Sequence, residues 1–135
     1  MKVMLDLNVV LDVVQRREPF YTASATVLSQ AVEGEHVACL PGHALTTLHY
    51  IVAKHASRKQ AGTLVDWVLA HLEVVAQDRA QFVRARSLKF EDFEDAALAS
   101  AAEAAVCKCI ISRNVADFRN SPVPAVTPEE FLADS

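Results

Sequence analysis

Five short apolar runs, separated by longer stretches of helical spacing, constrain this 135-residue chain more than any other feature. Such a rhythm is the signature of an α/β domain with a mainly parallel sheet. The runs predict strands at 2–6, 36–40, 73–76, 107–112 and 123–126. Residues 20–33 place Ala23, Val27, Leu28 and Ala31 at helical spacing and stop at Gly34. Residues 43–56 do the same with Leu45, Leu48, Ile51 and Val52. Ser57 with Gln60, Asp78 with Gln81, and Thr127 with Glu130 read as capping boxes opening three further helices. The last has Pro128 at its first position. No linker, repeat or low-complexity segment interrupts the chain, so residues 1–135 read as a single domain.

Composition narrows the function. Hydrophobic residues make up 52% and charged residues 22%, enough to bury a core and too apolar for a disordered chain. No apolar run approaches the roughly 18 residues of a membrane span. The N-terminus lacks the long apolar core of a signal peptide, which makes the cytoplasm the expected location. A net charge of −4 argues against holding nucleic acid by bulk positive charge, although a local basic patch can coexist with it. Cys39, Cys107 and Cys109 form no disulfide framework, and the five histidines offer no i, i+4 pair for zinc. The cysteines read as core residues, with Cys107 and Cys109 spaced to point the same way along a strand.

The acids carry the chemistry. In "MLDLNVVLD", residues 4–12, an apolar strand stops abruptly at Asp6, with Asn8 and Asp12 following. A carboxylate closing a buried strand must find partners or a cation to offset its desolvation. Ligands in parallel α/β sheets bind beyond the carboxyl ends of the strands. "SRNVADF", residues 112–118, closes the fourth strand as Asp6 closes the first, so the two can meet at one edge. "FEDFED", residues 90–95, precedes a helical run, where Asp92 fits the N-cap and Asp95 the third helical position. Asp12 reads as solvent-facing or paired with Arg16 four residues on, and Asn114 as the cap of a short turn. Asp6, Asp95 and Asp117, with Asn8, Asn114 and Asp92, would form an oxygen-only cluster suited to Mg²⁺ or Mn²⁺. Such a site can polarise a phosphodiester and activate water for in-line attack.

With these residues in view, the chain resembles PIN-domain proteins. "MKVMLDLNVVLDVVQRREPF" is similar to the family's opening: a strand ending in Asp, then Asn, then a short helix. "KFEDFEDAALASAAEAAVCKCIISRNVADF" resembles its second half, and "NSPVPAVTPEEFL" the close of one bacterial branch. The resemblance implies a three-layer α/β/α fold with a four- to five-stranded sheet. It also implies a metal-dependent ribonuclease, often the toxin of a toxin–antitoxin pair in the VapC style, with RNA as substrate and an antitoxin as partner. A homodimer is expected by family habit and because two-fold pairing is so common. Position by position, Asp6, Asp95 and Asp117 match the metal-binding acids and Asn114 the polar catalytic position. Asn8 matches the residue that steadies the first acid, and Ser112 the hydroxyl before Arg113.

One departure stands out. Where most relatives carry Glu on the helix after the second strand, Thr47 stands here. A hydroxyl can orient water but brings no charge, so weaker metal binding is expected. The basic residues placed to meet RNA are Arg113, Arg16 and Arg17, followed by Lys54, Arg58 and Lys59. Trp67 fits a helical core face, and no aromatic stacking platform is evident. Two rivals remain. A phosphotransfer receiver would need a Lys closing the last strand, where "PAVTPEEF" has none. A catalytically weak PIN scaffold kept as a protein- or RNA-binding module is the alternative that Thr47 and Asn114 favour.

Overall fold

The computed structural model describes residues 1–134; Ser135, the last residue of the expected domain, lies outside them. Five strands form one wholly parallel sheet: β1 (Lys2–Leu5), β2 (Val37–Pro41), β3 (Glu73–Val75), β4 (Cys109–Ile111) and β5 (Ala125–Val126). Their spatial order is β3-β2-β1-β4-β5. The helices are α1 (Leu7–Val14), α2 (Tyr21–Val32), α3 (Gly42–His55), α4 (Arg58–His71), α5 (Arg79–Ser87), α6 (Phe93–Ala104) and α7 (Pro128–Ala133). A 3-10 turn spans Val115–Phe118. The chain builds outward from β1 to β3, then crosses to β4 on the other side. The order therefore reverses between β1 and β4, and that switch point is where a crevice opens.

Alternate side chains of the strands feed two cores, giving the expected three layers. Val3, Leu5, Ala38, Leu40, Cys109 and Ile111 pack with α1 to α4. Met4, Cys39 and Ile110 face the other way, onto Leu98, Ala99, Ala101 and Ala102 of α6. The alanine run of α6 is buried along its length, and small side chains let the helix lie close against the sheet. All three cysteines are buried and free. No helix among the described residues is long and apolar enough to cross a membrane.

The helix ends follow their capping residues. Ser57 and Asp78 accept the backbone N–H groups of Gln60 and Gln81, while Thr127 and Glu130 form the full reciprocal box. Gln81 instead sends its side-chain amide to the Ala76 carbonyl. At the C-terminus of α2, Gly34 takes φ +83°, and Gly34 and Glu35 donate back to Ala31 and Gln30. This left-handed closure caps the last carbonyls, and glycine adopts it without a Cβ penalty. Helix α6 closes the same way with Val106 (φ 59°) in the glycine position and Cys107 donating to Ala102. That cap corrects the expected cysteine pattern. Cys107 belongs to the helix closure ahead of β4, so it joins the α6 core while Cys109 enters the opposite one.

Helix α1 ends on a third such closure, and there the Asp12–Arg16 pairing fails. Arg16 has φ 49° and is exposed, while Arg17 donates its backbone N–H to the Asp12 carbonyl at 2.9 Å. An i, i+4 pair requires the helix to continue, and here it stops at Val14. The turn brings Arg17 over Asp12 instead, and Asp12 is buried at 1% exposure.

Candidate metal centre

Asp6 sits where β1 becomes α1, with 7% of its surface exposed. As N-cap of α1 it accepts the Asn8 backbone N–H on Oδ1 at 3.5 Å. Its other oxygen accepts the Ser112 hydroxyl at 2.9 Å, across the switch point from the end of β4. The same Ser112 oxygen accepts the backbone N–H of Asn114 at 3.0 Å, which fixes the start of the following loop. Burial pushes the Asp6 carboxyl up, and the Ser112 hydroxyl, the Asn8 and Leu7 amides and Arg113 act against it.

Helix α6 delivers the second acid. Asp92 caps it by accepting the Asp95 backbone N–H at 3.0 Å, as the sequence pattern predicts, and remains exposed. Asp95 is half-buried, and its carboxyl is pushed up to about 7. The causes are burial first, then the negative charges of Asp92, Asp6, Asp117 and Glu94. Asp117 lies in the 3-10 turn, and Asn114 heads that turn without using its side chain to cap it. Asn114 thus holds the expected N-cap position, its carbonyl accepting the Asp117 N–H at 3.0 Å, while its side chain makes no capping bond and the residue is exposed.

Asp92, Asp95 and Asp117 line one cleft of about 440 Å³. Two exposed cations, Lys89 and Arg119, line it too, and Asn120 donates to the Lys89 carbonyl at 3.2 Å. Neither cation is among those expected from the sequence, although one immediately precedes "FEDFED" and the other immediately follows "ADF". Asp6 is not on the cleft wall and joins the group through its charge on Asp95. Thr47 is partly buried, and its hydroxyl donates to the His43 carbonyl of its own helix at 3.3 Å. Gln77, just beyond β3, ties the neighbouring elements together, accepting the His43 backbone N–H at 2.9 Å and donating to the Ala97 carbonyl at 3.5 Å.

Two of the basic residues expected at the RNA face are engaged with Asp12, while Lys54, Arg58 and Lys59 are exposed. Arg113 is 23% exposed, reaches Asp12 at 3.5 Å and lies 4.1 Å from the Phe20 ring centroid. Arg17 reaches Asp12 at 3.9 Å and donates to the Asn8 side-chain oxygen at 3.4 Å. Of Arg113, Arg17 and Arg16, only Arg16 stands exposed.

Residues 2–116 match a family profile described as a PIN domain. The chain belongs to the PIN domain family. PIN domains are generally nucleases that use divalent metal ions. No curated protein matches this one. Its backbone is similar to VapBC2 from Rickettsia felis bound to a promoter DNA fragment, at TM-score 0.72 and 18% identity over 94% of this chain and 98% of that one. It is similar to VapBC-1 from nontypeable Haemophilus influenzae at TM-score 0.74 and 15% identity over 96% and 99%. FitAcB from Neisseria gonorrhoeae follows at 0.66 and 16% over 94% and 98%.

The residues of this PIN domain fit a hard divalent cation. Every donor in the cluster is oxygen, and the charges that act most strongly on Asp95 are negative. Among the described residues, no three His, Cys, Asp or Glu side chains converge closely enough to hold a metal ion as they stand.

Proposed function

We propose that this PIN domain is an Mg²⁺- or Mn²⁺-dependent endoribonuclease and the toxin half of a toxin–antitoxin pair. The observation that carries this reading is the gathering of Asp92, Asp95 and Asp117 on one cleft, with Asp6 at the switch point of a parallel sheet close enough for its charge to act on Asp95. Asp6, Asp95 and Asp117 would hold the cation. When bound, it supplies Lewis-acid polarisation of the phosphodiester and a more acidic water. Asn8 and Ser112 fix the two oxygens of Asp6. The exposed amide of Asn114 is placed to orient a phosphate oxygen or water. Lys89 and Arg119 supply positive charge for flanking phosphates within an acidic protein. Thr47 leaves one carboxylate fewer than in most relatives, so Thr47→Glu should bind Mn²⁺ more tightly than the wild type.

The partner half of the reading rests on a second, apolar groove between α1, α2 and α4. It holds about 290 Å³ and is lined by Val10, Val13, Val14, Leu28, Leu64 and Trp67. Trp67, expected on a helical core face, packs half-buried against the core and also lines this groove, with its ring 5.1 Å from His71. An amphipathic antitoxin segment is the partner such a groove accepts.

Cleavage of a mixed RNA pool by purified protein tests the reading, with Mn²⁺, with EDTA, and with Asp6→Asn/Asp95→Asn. Cleavage that needs metal and both acids is expected. A folded protein that binds Mn²⁺ and RNA but cuts nothing would overturn it in favour of a binding module.

A further inference from the structure

Six residues, the first acid among them, form a closed circuit of side-chain contacts and backbone links. Asp6 Oδ2 accepts Ser112 Oγ at 2.9 Å. The residue after Ser112, Arg113, places Nη2 3.5 Å from Asp12 Oδ1. Asp12 in turn faces Arg17 Nη1 at 3.9 Å, Arg17 donates to Asn8 Oδ1 at 3.4 Å, and the Asn8 backbone N–H returns to Asp6 Oδ1 at 3.5 Å. Ser24 of α2, fully buried, donates to Asp12 Oδ2 at 3.5 Å, and Phe20 stacks under the Arg113 guanidinium. Asp12 does not line the cleft, yet the two routes that hold Asp6 both run back to it.

We propose that Asp12 is a positioning residue. Its buried carboxylate draws Arg113 and Arg17 together, and through them sets Ser112 and Asn8 against the two oxygens of Asp6. A buried charge costs stability unless it is paired, and a two-arginine pairing that served folding alone has no need to reach Asn8. The ring orders one metal-facing carboxylate from a residue farther along α1. Residues that orient a ligand from behind typically change metal affinity by about 10- to 100-fold when altered. The role in metal binding rests on the nuclease reading above; the positioning of Asn8, Ser112 and Asn114 does not.

The test uses full-length wild type, Asp12→Asn, and Val68→Ala as a matched control. Val68 is fully buried on α4, outside the ring, so its truncation lowers stability without touching the contacts described. Mn²⁺ affinity is measured by calorimetry well below each melting point, and backbone amide shifts are recorded by NMR without metal. Asp12→Asn should weaken Mn²⁺ by about 10-fold or more. It should also displace the amide signals of Asn8, Ser112 and Asn114, while Val68→Ala leaves affinity and signals in place. An Asp12→Asn protein with wild-type affinity and unmoved signals would overturn the proposal and leave the nuclease reading standing. A wild type that binds no Mn²⁺ would sink the nuclease reading instead, and the amide signals alone would then decide the positioning role. Equal losses in Asp12→Asn and Val68→Ala would reduce Asp12 to a structural residue.

Discussion

Replacing Asp95 by Asn removes the negative charge at the centre of the acid cluster without changing its shape. In the folded protein this carboxyl is raised from 3.8 to about 7. At about 1.4 kcal/mol per unit the full rise corresponds to about 4 kcal/mol, which solvent screening of a half-buried group reduces to about 1–2. The sign follows from linkage. Between pH 4 and 7 the folded state keeps a proton that the unfolded chain has lost, so stability falls as pH rises through this window and levels off above it. Asn has no such slope. It also gives up a favourable charge at the α6 N-terminus, worth about 0.3–1 kcal/mol. Urea denaturation in EDTA should therefore show Asp95→Asn gaining on the wild type steadily from pH 4 to 7, ending about 1 kcal/mol ahead at pH 8. Saturating Mn²⁺ should reverse the order, because a ligand bound only to the folded state stabilises it and the wild type has the better site. Parallel wild-type and variant curves across pH 4–8 without metal would refute the crowding of charge on which the metal centre is argued.

The other expectations are narrower. Val106→Gly should stabilise the fold by about 1 kcal/mol in chemical denaturation, since a β-branched residue holds the left-handed position that glycine fills at Gly34, and 83% exposure leaves little packing to lose. His36 is 5% exposed against Phe131 and its pKa is lowered by burial, so the folded state resists protonation and the stability present above 6.5 is lost progressively as pH falls below it. His36→Leu should flatten that acid limb in thermal melts from pH 7 to 5. Lys89→Ala/Arg119→Ala should weaken RNA binding and lower the slope of log affinity against log salt by about 0.7 for each phosphate no longer neutralised, as read by anisotropy titrations. An unchanged slope would remove both residues from the RNA face.

What was legible in the chain was what is local. Strand positions, helix stops at Gly34 and the Asp92 cap depend on neighbours within a turn or two, and the structure places them within a few residues of expectation. The PIN fold was legible because the acids after the first and fourth strands and at the start of α6 come in a fixed order, and a parallel sheet gathers its strand ends at one edge whatever lies between them. The roles of the arginines were not legible. Which arginine meets Asp12 turns on one left-handed residue, Arg16, and no periodicity argument anticipates a side chain's partner across a helix that has already ended. Arg113 is remote from Asp12 along the chain, and only the β1–β4 pairing of Leu5 with Ile111 brings them together.

That pairing also explains why charge is tolerated so near the core. Buried Asp12 alone would be costly, and Arg113 alone would leave a guanidinium against Phe20 with no counter-charge. Together they neutralise each other at the point where the first and fourth strands deliver Asp6 and Ser112. Asp95 is crowded by other acids instead, and it consequently holds its proton to about 7. The molecule thus sets arginine against the carboxylate behind the switch point and leaves the one at the cleft most strongly influenced by like charges. A fold that needed only stability would neutralise both. The asymmetry is what the proposed cation site would require, because an arginine paired directly with Asp95 or Asp117 would compete with the metal for those acids.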